Sequence, residues 1–246
     1  MITFTRSLLL TAALTLVMVP AQAATTLNKS SQTTAPASTA PASYLDPSHL
    51  TPDILAAPPP AGSKAAQREL DTVVRLQSKV DDKALAAIKK EATLRPALMT
   101  YLLGKSFSAK AYPKLFALLD KAQRDTTLVA TNAKTRWAVK RPYEMSDKVK
   151  PLAEPLPTTL SYPSEYTATT MVWAEILSQL KPELSDKFKA RANAISSNRV
   201  KAGMDYPVDQ IAGRNLAWAI LREMEKSDVY KSDLAAAKDE LSTVSR

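Results

Sequence analysis

The 246-residue chain has no cysteine and only one histidine, His49. These two counts exclude a disulfide scaffold, a zinc site built from cysteine and histidine, a thiol nucleophile and any mechanism that needs two imidazoles in one chain. Glycine is also scarce, with 4 residues against 17 prolines. This ratio favours helices that end near prolines over a β-rich fold with tight glycine turns.

The charge of the chain is strongly basic. It has 33 Lys and Arg residues against 24 Asp and Glu, which gives a formal net charge of +9. A basic chain attracts anionic partners, although charge alone does not select among them. The basic residues are spread along the sequence without a recognisable recognition motif, so we expect no binding to nucleic acid.

The first 23 residues have the layout of a secretory signal peptide. Arg6 is followed by an apolar run over residues 7–19, and the small residues Ala21 and Ala23 indicate cleavage before Ala24. No later stretch reaches about 18 apolar residues, so we expect no membrane span after signal cleavage. The mature chain is therefore predicted to be periplasmic or secreted.

The rest of the chain divides into a leader and one domain. Residues 24–43 are rich in Thr, Ser, Ala and Pro and have almost no large apolar side chains. Such a segment cannot bury enough surface to offset its ordering entropy, so it is expected to be a flexible leader. Residues 44–246 are enough for one sizeable core.

Apolar residues in this domain recur at helical spacing. No segment alternates apolar and polar residues as a half-buried strand does, and there is no internal repeat, so the sequence predicts an all-α fold, a single helical bundle. The predicted helices start near Ser63, cover residues 82–92, the segment around Leu115–Leu119 and residues 126–140, start at Pro163 and at Pro182, and cover residues 207–224 and 227–241. Trp137, Trp173 and Trp218 are expected in the core.

Three short segments carry the functional prediction. The first reads K-x6-R-P over Lys134–Pro142, the second reads P-S-E-Y over Pro163–Tyr166, and the third reads N-R-x5-D-x3-D over Asn198–Asp209. In order and spacing they resemble the three-part signature of the type 2 phosphatidic acid phosphatase and vanadium haloperoxidase superfamily, K-x6-R-P, P-S-G-H and S-R-x5-H-x3-D. Among its members they most resemble the bacterial class A nonspecific acid phosphatases. The resemblance implies the helical bundle of that superfamily.

The resemblance also implies a phosphate-type cation cradle. In the family, a lysine, two arginines and a serine hold the phosphoryl oxygens, and the residues at these positions are Lys134, Arg141, Arg199 and Ser164. Glu165 stands where the family has a glycine whose backbone approaches the phosphate, so it belongs to the same group of phosphate-binding positions.

Both catalytic histidines of the family are replaced. Asp205 stands at the position of the nucleophile, a histidine that forms a phosphohistidine, and Tyr166 stands at the position of the histidine that protonates the leaving oxygen. The aspartate that orients the nucleophile is retained as Asp209. Tyrosine has a reference pKa of about 10 and is a poor proton donor at neutral or acid pH.

The charge of the implied pocket changes as well. Three cations meet three carboxylates, Glu165, Asp205 and Asp209, whereas the family pocket has one carboxylate. These carboxylates would repel a phosphate dianion and could occupy the cations themselves. The sequence therefore predicts an exported acid-phosphatase-like protein with a retained cradle and with absent or vestigial phosphomonoesterase activity.

Two alternatives stay open. One is a working hydrolase, either a phosphatase that hydrolyses phosphomonoesters through a nucleophile other than histidine or an enzyme of a different reaction that uses the acid pair Asp205 and Glu165. The other is a binding or regulatory protein that reuses the pocket for a small anionic or zwitterionic ligand. No second acidic cluster suits Mg²⁺, so neither a metal nor a cofactor is expected. Members of the related family self-associate, so the resemblance makes a homo-oligomer an expectation.

Ordinary structural roles could explain the same residues one at a time. Tyr166 falls on an apolar stripe, and acids such as Asp205, Asp209 and Glu165 are favoured near a helix start. His49 is expected in an exposed loop. Only the joint spacing favours a site, and the packing of the three cations separates the hypotheses. An open cavity would favour a ligand, and carboxylates bound to the cations would favour the inactive protein.

Overall fold

The computed structural model describes residues 43–46, 49–50, 52–104, 107–154 and 160–244. These residues fall in one compact unit. The predicted signal peptide and, apart from Ser43, the predicted leader lie outside the described residues. None of the helices in the described ranges is long and apolar enough to cross a membrane.

The described part of the chain is helical and contains no strand, which confirms the all-α prediction. The helices are α1 (Lys64–Gln77), α2 (Asp82–Lys90), α3 (Ala97–Thr100), α4 (Pro113–Trp137), α5 (Pro142–Met145), α6 (Glu165–Leu180), α7 (Ser185–Lys201), α8 (Pro207–Met224) and α9 (Asp228–Val244). Short 3-10 turns occur at Pro52–Ile54, Tyr101–Leu103 and Pro182–Leu184.

Helix α6 lies at the centre of the bundle and packs against α4, α7 and α8. The helix is buried on nearly all of its faces. Its Trp173 donates the indole N–H to the carbonyl of Leu119 at 2.9 Å. Gly213 lets α8 approach α6 closely, because a Cβ at this position would lie 2.6 Å from the carbonyl oxygen of Ser164. This close approach brings the start of α8 beside the start of α6.

Two helix boundaries predicted in the region of α4 were wrong. The sequence suggested a separate helix over residues 126–140, whereas one helix of 25 residues runs from Pro113 to Trp137. It is continuous because its buried stripe does not stop at Asp125, whose carboxylate accepts hydrogen bonds from the backbone N–H of Tyr44 (2.8 Å) and the hydroxyl of Ser43 (2.6 Å). It ends when Ala138 adopts a left-handed conformation, with φ of 49°.

Local capping also moves two helix starts away from their prolines. Helix α6 begins at Glu165, because the Ser164 side chain accepts a hydrogen bond from the backbone N–H of Thr167. Helix α7 begins at Ser185, because Pro182 opens a 3-10 turn first. Ser164 is thus a helix cap as well as a predicted site residue.

The tryptophans only partly follow the core prediction. Trp173 is fully buried and Trp137 is half-buried, but the side chain of Trp218 is 47% exposed. Position 218 lies on the face of α8 that also carries Ile211 and Arg222, and this face points to solvent. Helical spacing alone could not tell which face of α8 packs on α6.

Candidate functional site

The three sequence motifs meet where several helix ends converge. Lys134 lies in the last turn of α4, Arg141 precedes α5, Ser164 caps α6, Arg199 lies in the last turn of α7, and Asp205 lies in the α7–α8 loop. Because α6 packs against α4, α7 and α8, these ends come together at one end of the central helix.

The carboxylate of Asp205 lies at the centre of this cluster. Arg141 donates from Nη1 to Oδ1 at 2.7 Å. The other oxygen, Oδ2, accepts hydrogen bonds from Ser164 Oγ at 2.7 Å, from Gln210 Nε2 at 3.1 Å and from Arg199 Nε at 3.5 Å. Four donors thus converge on one carboxylate, as they would on a bound oxyanion.

This ion pair is buried. Asp205 is 2% exposed, and the guanidinium groups of Arg141 and Arg199 are buried with it. Burial alone would raise the pKa of Asp205, but the charges of Arg199 and Arg141 outweigh burial and hold that pKa well below its usual range. Asp205 is therefore ionised and neutralises part of the positive charge of the cluster.

The ammonium group of Lys134 is directed at backbone oxygens. Its Nζ donates to the carbonyls of Leu160 (2.7 Å), Ser161 (3.0 Å) and Pro163 (2.8 Å). An ammonium group has three protons, so these three bonds leave none for a phosphate oxygen. Lys134 is 8% exposed, and burial lowers its pKa to about 8. In this structure Lys134 holds the segment that leads into α6.

The side chain of Tyr166 also makes a structural contact. Its hydroxyl donates to the carbonyl of Ala92 at 2.6 Å, and its ring lies against Arg199, with 4.1 Å between the guanidinium carbon and the ring centroid. Burial raises the pKa of Tyr166 above its usual value. The tyrosine proton therefore points away from Asp205 and is held more tightly than in solution.

Two other residues of the motifs, Glu165 and Asn198, bind partners other than Asp205. Glu165 is half-buried, and its carboxylate accepts a hydrogen bond from the Thr127 hydroxyl at 2.7 Å. Asn198 donates from Nδ2 to Glu91 at 3.0 Å, and the same buried carboxylate pairs with Arg191 at 2.5 Å. Asp205 therefore contacts both Arg141 and Arg199, whereas Glu165 binds Thr127 on α4.

Asp209 caps the start of α8. It is fully buried, and its Oδ2 accepts hydrogen bonds from the backbone N–H of Tyr206 (2.6 Å) and from the hydroxyl of Ser161. Its Oδ1 is buried without a hydrogen-bond partner. Burial, and then the nearby charge of Asp205, raise the pKa of Asp209 to about 7. The carboxylate of Asp209 thus has one buried oxygen without a hydrogen-bond partner.

Sequence reasoning missed Gln210 and Ser161. Gln210 links Asp205 to α6 and α7, because its Oε1 accepts hydrogen bonds from the hydroxyls of Thr167 and Ser196. Gln210 directly follows Asp209, and Ser161 lies two residues before Pro163, but polar residues at such positions are too common to indicate a role. Their contacts depend on the packing of α6, α7 and α8.

His49 lies far from this cluster. Its side chain is 61% exposed and lies 3.4 Å from the carboxylate of Glu223, near the end of α8. At about 1.5 Å of rise per residue, Glu223 is about 24 Å along the helix from Pro207. The single imidazole of the chain is therefore exposed, as expected, and cannot reach Asp205.

No family model matches the chain. The chain is similar to a non-specific acid phosphatase of Providencia stuartii, with 27% identity over 147 residues. The matched part covers 58% of this chain and 59% of that protein, so the similarity spans about three fifths of the relative's length. It points to the same kind of protein as the three motifs do.

Proposed function

We propose that this chain is an exported, acid-phosphatase-like protein without phosphomonoesterase activity, because its own Asp205 carboxylate occupies the phosphate site. The observation that carries this proposal is the convergence of Arg141, Arg199, Ser164 and Gln210 on that carboxylate. Three of these donors come from the motifs that suggested phosphate binding.

A phosphate group would have to displace a tethered competitor. The carboxylate is buried and paired, and separating a buried ion pair without a replacement costs about 3–5 kcal/mol. A phosphomonoester could recover part of this cost from the same donors, but Asp205 would remain nearby as a repelling charge. Weak or absent binding of phosphate follows.

The remaining chemistry of phosphate transfer is also missing. Attack by Asp205 on phosphorus would require the carboxylate to leave the donors that must hold the phosphate at the same time. Protonation of the leaving group would require a proton that Tyr166 donates to Ala92. Lys134 is bound to three carbonyls. These contacts support the inactive protein over a phosphatase with an aspartate nucleophile.

The direct test is an activity assay on the purified chain. A chromogenic phosphomonoester is incubated with the protein from pH 4 to 8, with and without Mg²⁺, beside an active acid phosphatase that validates the assay. We expect no turnover above the blank. Turnover that disappears in Asp205→Ala and persists in Asp147→Ala, a substitution of an exposed acid, would contradict the proposal.

A further inference from the structure

We propose that a groove beside α1 binds an amphiphilic organic anion, which is a molecule with an apolar body and one anionic head group. The groove lies between the proline run Pro58–Pro60, the first turns of α1, the segment from Trp137 to Lys140, and Val208 at the start of α8. We call it the proline–tryptophan groove. Lys134, Arg141, Ser164, Arg199 and Asp205 do not line it, so this inference does not depend on the proposed function.

The size and lining of the groove suit the apolar body of such a ligand. Its volume is about 660 Å³, and sites for small organic molecules commonly have volumes of about 300–1,000 Å³ with mostly apolar walls. The walls include three prolines and the side chains of Trp137, Val139 and Val208. Met145 also lines the groove and is 49% exposed, so a large apolar side chain is left facing solvent there.

The charged groups of the groove favour an anionic head. Lys140 lines the groove and is exposed. The start of α1 lines it as well, at Ser63 and Ala66, and a helix of 14 residues presents partial positive charge at this end. Among the described residues, Glu69 is the one acid in the lining, and its carboxylate accepts a hydrogen bond from the backbone N–H of Val208 at 2.8 Å, which offsets part of its charge.

An anionic ligand is therefore preferred over a neutral or cationic one. The ammonium group of Lys140 and the start of α1 attract the head group, while the net charge of +9 attracts anions to the protein as a whole. The proline run and the tryptophan require an apolar body, because water in such a groove gains little from these walls. The body can be aromatic or alkyl, and the experiment distinguishes these two classes.

The experiment is a binding titration on the full mature chain with three probes. Anilinonaphthalene sulfonate is an aromatic anion, decanoate is an alkyl anion, and decanol is a neutral molecule with the same chain as decanoate. We expect saturable one-to-one binding of at least one anion, with weaker binding of decanol and a Kd that rises with salt concentration. Competition between the two anions would show that the groove accepts both bodies.

Two variants with matched controls locate the site. Lys140→Met removes the charge and is expected to raise the Kd of the anions about 3- to 5-fold, and Met145→Ala is expected to raise it about 3-fold or more through lost contact area. Lys148→Met and Leu128→Ala change exposed residues outside the groove and should leave the Kd unchanged. Circular dichroism and urea unfolding check that all four variants fold.

The results of the titrations decide whether the anion binds in the groove. Weaker anion binding in Lys140→Met and Met145→Ala, with Lys148→Met and Leu128→Ala binding as the wild type does, would establish the groove. Absence of saturable binding by both anions would overturn the proposal. Equal binding of decanol, or binding that neither groove variant changes, would overturn it as well.

Discussion

Replacing Asp205 by alanine should convert a closed oxyanion site into an open one. The substitution removes the carboxylate that accepts hydrogen bonds from Arg141, Ser164, Gln210 and Arg199. Two buried guanidinium groups then lose the carboxylate that they share, and a space the size of a carboxylate appears between the donors. We expect a less stable protein that binds added oxyanions, whereas the wild type does not.

The magnitude follows from burial of the pair. Asp205 and Arg141 are both almost fully buried, and removing one partner of such a pair costs about 3–5 kcal/mol of the free energy of unfolding. For a chain of this size, 1 kcal/mol shifts the melting temperature by about 2–4 °C, so Asp205→Ala should melt roughly 6–20 °C below the wild type. An oxyanion that binds only the folded state at about 100 times its Kd restores about 2.7 kcal/mol.

The assay is thermal unfolding in formate, in phosphate and in chloride at equal ionic strength. Formate matches the missing carboxylate, and phosphate tests whether the same donors accept a tetrahedral anion. Asp205→Asn is the matched control, because the amide removes the charge but fills the space. Relative to chloride, formate or phosphate should raise the melting temperature of Asp205→Ala by more than it raises that of the wild type or of Asp205→Asn, since phosphate also stabilises folded proteins in general.

Two results would refute this reasoning. If phosphate stabilises the wild type as much as Asp205→Ala, the carboxylate does not block the site. If Asp205→Ala unfolds within about 1 kcal/mol of the wild type, the buried pair does not contribute the stability that its geometry implies.

Three further predictions concern other parts of the chain. Burial and the charge of Asp205 raise the pKa of Asp209 to about 7 in the folded chain, so its stabilising contribution is present below about pH 4 and is lost as the pH rises to 7. In urea unfolding, Asp209→Asn should therefore reduce the fall in the free energy of unfolding over this pH range. A pH profile that the substitution leaves unchanged would contradict this prediction. Lys134→Met leaves three carbonyls without their donor and should lower the free energy of unfolding by roughly 2–5 kcal/mol, with a loss below 1 kcal/mol as the contrary result. Expression with export in a bacterial host should give a mature chain that starts at Ala24, and an intact mass that retains residues 1–23 would exclude signal cleavage.

The sequence predicted much of the fold because the helical signals are local. Residues 207–224 begin with a proline and carry a continuous buried stripe, and the predicted boundaries of α8 match Pro207–Met224. The separate helix predicted over residues 126–140 was wrong, because one helix runs from Pro113 to Trp137 through the buried Asp125. Its carboxylate is satisfied by Ser43 and Tyr44, which are distant in sequence, and no local pattern contains that information.

The candidate site was also predicted only in part, because motif spacing indicates which residues share a site but not which contacts they make. Motif spacing suggested that Arg141, Ser164 and Arg199 share a site, and the structure brings all three to Asp205. Spacing could not show that Lys134 binds backbone carbonyls, because the direction of those carbonyls depends on the loop before α6. It also could not show that Gln210 completes the shell around Asp205, because that contact requires the close packing of α8 on α6 at Gly213.

The presence of the two arginines has an explanation that does not involve phosphate. Two buried guanidinium groups without an anion would be strongly destabilising. A carboxylate at position 205 supplies the missing charge from within the chain, and once it is present, neither Arg141 nor Arg199 can be replaced by a neutral residue without leaving Asp205 poorly paired. Folding stability is then a sufficient reason for the arginines of the K-x6-R-P and N-R segments. A segment that resembles a phosphate-binding motif can therefore form a structural ion pair, and its presence in a sequence is no measure of catalysis.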